Sequence, residues 1–474
     1  MEMSLLAFIL LAVEIVIFFK KESLKTKTIH AFIRWILVGS LVTSGFFMRL
    51  SGQTEFSFSD FYLVVVFLYS LLYLARYKPK IDSRLILAGF LFLIVSFISW
   101  IPRIFGTETV YSMISSSSKF NWDNFLIDRI GLVPVEIQKN SFFLFAKFCM
   151  AVSIFAIIPL KKTIHDHYFH KGVVACSLLL GVYLLIECFS PDQARSFVRG
   201  ITGFGKADYY YGVGRLLGFS KEPSMLAIPL FVFALFYFSQ LVTEKEKIRK
   251  AFCVFAILLS CAFLLISKSF SALYYLACFA LTALLFYLKN KRIIHVSLFV
   301  IIGIAGLAFV FQNDYFSSRI DTVLYTLRNI SNVNALPPVS ESIRFYSNYY
   351  LFTLFLSHPL FGVGFGTTYS FGAFFHSLGT VGVIGTALLL FMNFHIQKKI
   401  FKKTSICSFV VFMVLILLSE QMGAMMLYYT PFFLILFIIT GIFNDVDFKK
   451  EQRLIFMNLH SKKSKVCLIK LKNE

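Results

Sequence analysis

Long apolar runs recur along the whole chain and constrain its fold more than any other feature. Each is close to the roughly 20 residues that a helix needs to cross the hydrocarbon core of a bilayer. A segment in lipid must satisfy its own backbone hydrogen bonds, so each run is predicted to be a helix. We therefore predict about 13 transmembrane helices, at residues 4–19, 31–48, 59–75, 85–101, 142–160, 172–189, 223–242, 251–267, 270–288, 294–311, 377–395, 407–425 and 428–443.

The composition agrees with a membrane protein. Hydrophobic residues make up 58% of the 474 residues, and charged residues make up only 15%. A soluble domain of this length would carry roughly a quarter charged residues. The chain is predicted to be an all-α polytopic bundle with one transmembrane domain, residues 1–445, and a basic cytoplasmic tail, residues 446–474.

The basic residues orient this bundle. They are spread over many short loops, so the net charge of +21 does not indicate a nucleic-acid partner. Thirty of the 46 Lys and Arg fall in alternate connections and in the tail, at 20–27, 76–84, 161–171, 244–250, 289–292, 397–403 and 446–474. Lys and Arg collect on the cytoplasmic side of membrane proteins, so the N-terminus and the other loops are predicted to be external.

Three long loops are external in this topology, at 102–141, 190–222 and 312–376, the last between helices 10 and 11. Loops of this length usually have a function. The external set holds nine Arg against five Lys, whereas the cytoplasmic set holds five Arg among 30. A guanidinium grips phosphate with two bonds, so the bias favours an anionic substrate. Chance within a set of fourteen residues is the alternative.

The stretch GRLLGFSKEPSMLAIPL, 214–230, places charges just outside helix 7. Arg215 is a candidate phosphate ligand and Glu222 a candidate base or sugar-binding carboxylate. The structural alternative is that Glu222 caps the positive end of the helix dipole, with Pro223 in the first turn. Tyr211, in YYYGVG (209–214), could stack on a sugar or belong to an interfacial aromatic belt.

Two further stretches carry candidate residues. Lys268 is the only charge in the hairpin LISKSFSALYYL, 265–276, and is either a substrate ligand or a snorkelling side chain. Residues 340–357 are predicted to form an amphipathic helix along the membrane surface, with Arg344 near its start. His376 opens helix 11 and suits general-base catalysis, because an imidazole titrates at about 6.5; the alternative is a plain polar residue.

The glycines at 362, 364 and 366 follow this helix. They would let the backbone approach a ligand closely, or simply make a turn.

These motifs, taken in order, resemble the O-antigen polymerase and O-antigen ligase superfamily. They are R-x-x-G-F-x-x-E-P-S at 215–224, S-K-S at 267–269, S-x-R at 342–344, H-P-L-F-G-V-G-F-G at 358–366 and H-S-x-G-x-x-G-x-x-G at 376–385. The resemblance covers roughly residues 170–445.

The resemblance implies a fold like the C-type membrane glycosyltransferases. It also implies an undecaprenyl-diphosphate-linked glycan donor, an acceptor hydroxyl outside the bacterial inner membrane, and no metal or cofactor. Polymerases extend a second lipid-linked repeat, with a chain-length regulator as a possible partner, whereas ligases transfer the glycan to lipid A–core. The E-P-S triplet at 222–224 and the H-S pair at 376–377 look more like a polymerase.

The charges suggest a mechanism for such an enzyme. Arg215 and Arg344 are the first choices to stabilise the leaving diphosphate, with Lys268 and Arg319 behind them. His376 is preferred over Glu222 as the base that accepts the proton of the acceptor hydroxyl. Displacement in one step would invert the anomeric carbon; a retaining reaction needs a carboxylate nucleophile, for which Glu222 is the candidate.

A flippase or other transporter of lipid-linked glycans is the alternative from another class. Such a protein needs a polar pathway marked by intramembrane charges. The candidates are Glu14, Arg34, Lys147, Glu187 and Glu420.

Overall fold

The computed structural model describes residues 2–41, 46–49, 55–106, 110–112, 133–135, 137, 139–164, 167–202, 215–220, 223–290, 312, 314–332, 335–337, 339–368, 370–400, 405–418, 426–431 and 433–443. Helices dominate these residues, as the apolar runs predict. They are α1 Leu5–Phe19, α2 Leu24–Leu41, α3 Phe58–Tyr77, α4 Ser83–Ile104, α5 Lys139–Ile157, α6 Leu160–Ile164, α7 His167–Phe189, α8 Pro191–Thr202, α9 Pro223–Thr243, α10 Lys247–Ile266, α11 Phe270–Lys289, α12 Asp314–Arg328, α13 Ser340–Ser357, α14 Ala373–Ile400, α15 Ile406–Leu418 and α16 Phe433–Phe443.

Seven of these helices are long and apolar enough to cross a membrane: α3, α4, α7, α9, α10, α11 and α14. Four shorter apolar helices, α1, α5, α15 and α16, accompany them. The protein is therefore an all-α, multi-pass membrane protein. The tight α10–α11 hairpin predicted at 251–288 is confirmed. The predicted span at 294–311 and the tail at 446–474 lie outside the described residues.

The predicted helix at 31–48 differs most from the structure. Helix α2 starts earlier, at Leu24, and ends at Leu41. Residues Phe46–Arg49 form a short strand, β2, between β1 (Glu2–Met3) and β3 (Glu55–Ser57) in a three-stranded antiparallel sheet. Pairing with two neighbours satisfies the backbone of this apolar segment, so a helix is not needed there. A second pair of strands, β4 (Tyr111–Ser112) and β5 (Val133–Pro134), lies within the predicted loop 102–141.

Helix α9 forms the centre of the bundle. All of residues 223 to 238 except Met225 are buried, which is the expected position of a helix that is apolar on every side. It packs against α10 and α11, while α2 packs on α3 and α14 packs on α4 and α13. These contacts fix the relative positions of the helices that carry the candidate site residues.

The predicted external loops contain helices. The helix predicted at 340–357 is confirmed as α13, and one side of it is buried through Ile343, Ser347, Leu351 and Leu354. Its position along the membrane surface stays a prediction. Helices α8 and α12 were not predicted, because their short apolar stripes are interrupted by charges. The described parts of the loops 190–222 and 312–376 therefore include regular helices.

The contacts between loops join segments that the charge pattern assigns to the same side of the membrane. At one end, Asp82 contacts His395 and Lys399, and His30 stacks on Tyr168. At the other end, the Trp100 indole donates to the Phe365 carbonyl, and the Arg215 guanidinium donates to the Lys268 carbonyl. Which end faces the cytoplasm stays a prediction.

Charges inside the bundle form close pairs. The carboxylate–cation distances are 2.6 Å, 2.6 Å and 3.3 Å, for Glu14 with Arg34, Lys147 with Asp60, and Glu187 with Arg195. Asp60 also closes a capping box with Ser57 at the start of α3. Pairs of this kind anchor one helix to another. Glu420, the remaining charge proposed for a transport pathway, lies outside the described residues.

Candidate active site

Helix α14 is broken within the glycine motif at 376–385. Gly382 has φ 64° and ψ −170°, so the helix stops and restarts at this residue. A break inside a membrane-spanning helix exposes backbone N–H and C=O groups that water cannot reach. These groups need partners elsewhere in the protein.

The loop that carries the other glycine motif, 358–366, supplies them. The amides of Val363 and Gly364 donate to the carbonyls of Gly379 and Thr380, each at 2.9 Å. In the opposite direction, the amide of Val383 donates to the carbonyl of Pro359 at 2.8 Å. We call residues 359–364 together with 379–384 the glycine clip.

Glycine is required on both sides of the clip. Gly362 and Gly382 have φ of +68° and +64°, a region that other residues rarely adopt. A Cβ at Gly362 would overlap the backbone of Thr380, and one at Gly382 would overlap the backbone of Leu360. The close approach expected at the glycines of 362–366 is therefore made to the protein's own backbone.

The far side of the loop is tied to two neighbouring helices. The Trp100 Nε1 of α4 donates to the Phe365 carbonyl at 2.8 Å, and the Ser141 hydroxyl of α5 donates to the Gly366 carbonyl at 2.7 Å. These bonds hold the loop against the bundle. The first half of α14, which carries His376, therefore rests on a rigid frame.

His376 lies in the first turns of α14 and is only 6% exposed. Its Nδ1 is buried, and no residue in the described part of the chain forms a hydrogen bond with it. Just before the helix, the Gly372 amide donates to the Asn348 side chain of α13 at 2.7 Å. A buried ring nitrogen without a bond is costly, and such groups often have a functional reason.

Arg344 belongs to the same region. It lies on α13 four residues before Asn348, is half-buried, and its guanidinium lies 5.3 Å from the centre of the Phe371 ring. This contact places a cation next to the segment that leads into α14. Burial also raises the pKa of Tyr346 and Tyr350 on this helix, so both phenols stay protonated at neutral pH.

Arg319 is held by an acidic partner. Its guanidinium forms an ion pair with Glu341, which is buried at the start of α13. Next to this pair, the Thr326 and Ser342 hydroxyls share a hydrogen bond of 2.8 Å. Arg319 therefore links α12 to α13, and the ion pair with Glu341 partly neutralises its charge.

Arg215 and Lys268 form a second group. The Arg215 guanidinium donates to the carbonyls of Ser267 and Lys268, at 3.4 Å and 2.9 Å. Lys268 is exposed at the tip of the α10–α11 hairpin and has φ of +49°, which is rare for a residue with a side chain. The structure thus brings together two of the predicted phosphate ligands.

The remaining predicted residues, Glu222 and Tyr211, lie outside the described residues. Asn348 and Trp100 position the loop and α14 but were not predicted, because nothing local marks them as partners of a loop far away in sequence. Within the segments that the structure covers, no cluster of three or more His, Cys, Asp or Glu could hold a metal ion.

Residues 254–378 match the family model described as O-antigen ligase (Wzy_C). The match confirms the resemblance to the O-antigen polymerase and ligase superfamily. No curated protein matches the chain significantly. The superfamily match indicates a glycan-processing enzyme. The matched segment contains Lys268, Arg319, Arg344 and His376, whereas Arg215, Tyr211 and Glu222 precede it.

Proposed function

We propose that this protein polymerises undecaprenyl-diphosphate-linked repeat units into surface polysaccharide, outside the bacterial inner membrane. The observation that carries the proposal is the buried His376 Nδ1, which no described residue bonds, inside the segment that matches the superfamily. A neutral imidazole nitrogen of this kind can accept a proton.

The reaction is a single displacement. The oxygen of an acceptor sugar hydroxyl attacks the anomeric carbon of the donor, and its proton moves to His376. The bond from that carbon to the diphosphate oxygen breaks, and undecaprenyl diphosphate leaves with the electron pair. Attack opposite the leaving group inverts the anomeric carbon. Glu222 is the alternative base.

Cations stabilise the leaving group. Negative charge grows on the diphosphate as the bond breaks, and preplaced guanidinium groups stabilise it without reorganising. We assign this role first to Arg215 and Arg344. Lys268 at the tip of the hairpin also attracts the diphosphate. Arg319 does so more weakly, because its ion pair with Glu341 partly neutralises its charge. Tyr211 can stack on a sugar ring.

The test is His376→Ala in purified protein supplied with lipid-linked repeats. Loss of a general base lowers rates by about 10² to 10⁴-fold, so we expect chain extension to fall by this factor. His30→Ala is the matched control, because His30 stacks on Tyr168 and the charge pattern assigns both residues to the cytoplasmic side. Extension by His376→Ala at the rate of the His30→Ala variant would exclude this base.

A ligase is the second candidate, favoured by the description of the matched family model. The E-P-S and H-S features at 222–224 and 376–377 favour the polymerase. A deletion strain separates the two, since loss of a polymerase still leaves one repeat on the lipid A–core and loss of a ligase leaves the core bare.

A flippase is disfavoured by the close ion pairs of four of its five candidate charges. Lengthening of lipid-linked repeats by the purified protein, without any gradient, would argue for the enzyme.

The external site is tested by labelling cysteines introduced at 190–222 and 312–376. Labelling only from the cytoplasm would overturn the proposed sidedness.

A further inference from the structure

A buried carboxylate at the end of α7 contacts the loop that carries Arg215. The Glu187 side chain is fully buried. Its Oε1 accepts from the Leu217 amide at 3.0 Å, and its Oε2 accepts from the Gly218 amide at 2.9 Å. Two consecutive N–H groups thus close on one carboxylate, an arrangement that binds anions in many proteins.

Arg195 extends this contact toward Arg215. Its Nε donates to Glu187 Oε1 at 3.3 Å, and its Nη2 donates to the Arg215 carbonyl at 2.7 Å. One carboxylate therefore fixes the backbone directly after Arg215 by two amides. Through Arg195, it also fixes the carbonyl of Arg215 itself.

The Arg215 side chain completes the connection. With its backbone held on α7 and α8, its guanidinium reaches the Ser267 and Lys268 carbonyls at the tip of the α10–α11 hairpin. A continuous series of hydrogen bonds thus runs from Glu187 through Arg195 and Arg215 to Lys268.

This series of hydrogen bonds also fixes the conformation of the backbone at residues 215–218. Burying a carboxylate is costly unless it is paired and fully hydrogen-bonded, and Glu187 meets that condition only with the 215–218 backbone in this conformation. A cation that stabilises a leaving group must be held within a fraction of an ångström, and polar residues behind it supply that precision.

We propose that Glu187 is a positioning residue for Arg215, and that Arg195 transmits its effect. The inference rests on the proposed function, in which Arg215 binds the lipid diphosphate. Glu187 and Arg195 do not touch the substrate. They set the direction in which the Arg215 guanidinium points and its distance from Lys268.

The test is binding of geranylgeranyl diphosphate to the protein in nanodiscs. Glu187→Gln keeps the shape of the side chain but replaces one acceptor oxygen by an amide group that faces N–H donors. We expect about tenfold weaker binding, by analogy with groups that orient metal ligands, whose loss costs about 10 to 100-fold in affinity. Arg195→Lys, which keeps the charge but loses the fork, should weaken binding in the same direction.

Glu14→Gln is the matched control. Glu14 is also a buried carboxylate that binds an arginine, Arg34, with two hydrogen bonds of 2.6 Å and 2.9 Å. This variant should lower the thermal midpoint to a similar degree as Glu187→Gln while leaving diphosphate binding within twofold of the wild type.

The same measurement in an Arg215→Ala background separates the inference from the proposed function. If Glu187 acts through Arg215, Glu187→Gln should weaken binding by less than about twofold once Arg215 is removed. Equal effects of Glu187→Gln in both backgrounds, or an effect equal to that of Glu14→Gln, would overturn the inference while Arg215 keeps its role. If Arg215→Ala itself binds like the wild type, both the inference and the proposed role of Arg215 fail.

Discussion

The two ends of helix α14 are held in different ways. At its N-terminal half, the glycine clip joins backbone to backbone, and the nearby side chain of His376 keeps a buried nitrogen that no described residue bonds. At its C-terminal half, side chains make the connection. His395 Nε2 lies 2.9 Å from Asp82 Oδ2, and Lys399 Nζ lies 3.4 Å from the same oxygen.

The polar groups around Asp82, His395 and Lys399, which we call the C-terminal network, form hydrogen bonds with other groups of the protein. Asp82 caps α4 by accepting from the Leu85 amide, and Lys399 donates to the Phe155 carbonyl at 3.1 Å. Burial disfavours the charge on Asp82, but the bonds from His395 and Leu85 and the nearby Lys399 outweigh it and lower the pKa of the carboxyl.

This difference separates a structural histidine from a candidate catalytic one. Both histidines lie on one helix and in polar motifs, yet His395 is bonded to a carboxylate and His376 is not. The glycine clip itself holds the N-terminal half through backbone hydrogen bonds and does not use the His376 ring. The His376 Nδ1 therefore stays without a hydrogen-bond partner among the described residues.

The largest expected loss of stability comes from a substitution within the glycine clip. Gly382→Ala puts a Cβ into the Leu360 backbone at a positive φ, so we expect a loss of more than about 4 kcal/mol and little folded protein. Gly181→Ala is the control, because a Cβ at Gly181 of α7 meets nothing within 4 Å. Monodisperse yield and thermal midpoint measure the effect, and a Gly382→Ala protein as stable as Gly181→Ala would contradict the clip.

Removing the bonded histidine should affect stability, not chemistry. His395→Ala loses a charge-assisted hydrogen bond to Asp82, which contributes about 1.5 to 3 kcal/mol. We expect a lower thermal midpoint, with the folded protein extending chains at close to the wild-type rate. A large loss of rate at unchanged stability would reverse the roles assigned to the two ends.

Acid should weaken the C-terminal network. The folded-state pKa of Asp82 is lowered, so its contribution is complete above the unfolded pKa of about 3.9 and disappears as pH falls through the folded value. Wild type should be more stable than Asp82→Asn at neutral pH, and the difference should begin to shrink below about pH 4 and disappear once the pH is below the folded-state pKa. Thermal midpoints measured from pH 7 to pH 3 test this. A difference that grows on acidification would contradict the assigned direction.

The smallest effect concerns the anchor of the loop 358–366. Trp100→Phe removes the hydrogen bond to the Phe365 carbonyl and should cost about 1 kcal/mol. Trp35→Phe is the comparison, since the Trp35 Nε1 is buried and finds no partner in the covered segments. Its removal should be neutral or slightly stabilising. Equal losses in both variants would mean that ring volume, not the hydrogen bond, anchors the loop.

Much of the fold could be predicted from hydrophobic run length. The membrane-spanning helices and the α10–α11 hairpin follow from it, because a helix in lipid is the only local solution. Helix α13 at 340–357 follows instead from the helical spacing of its apolar and aromatic residues. The break at Gly382 and the strand at Phe46–Arg49 could not be predicted, since each depends on a distant segment that completes its hydrogen bonds.

The candidate site was predicted in part. Charges in an apolar sequence stand out, which marked Arg215, Lys268, Arg319, Arg344 and His376. The sequence did not indicate which residues these side chains contact. Glu341 forms an ion pair with Arg319. Glu187 was considered for a transport pathway, whereas in the structure it accepts hydrogen bonds from the backbone that follows Arg215.

The sequence by itself determined that this protein is a helical membrane protein that resembles the O-antigen polymerase and ligase superfamily, and it predicts how the loops divide between the two sides of the membrane. Run length and the distribution of charge act locally, so they can be read without a structure. Only the tertiary structure decided which polar groups form hydrogen bonds within the protein and which, such as the His376 Nδ1, have no partner among the described residues. The pairs that decide it, such as Asp82 with His395 or Leu360 with Gly382, are brought together by packing, and packing depends on the whole chain.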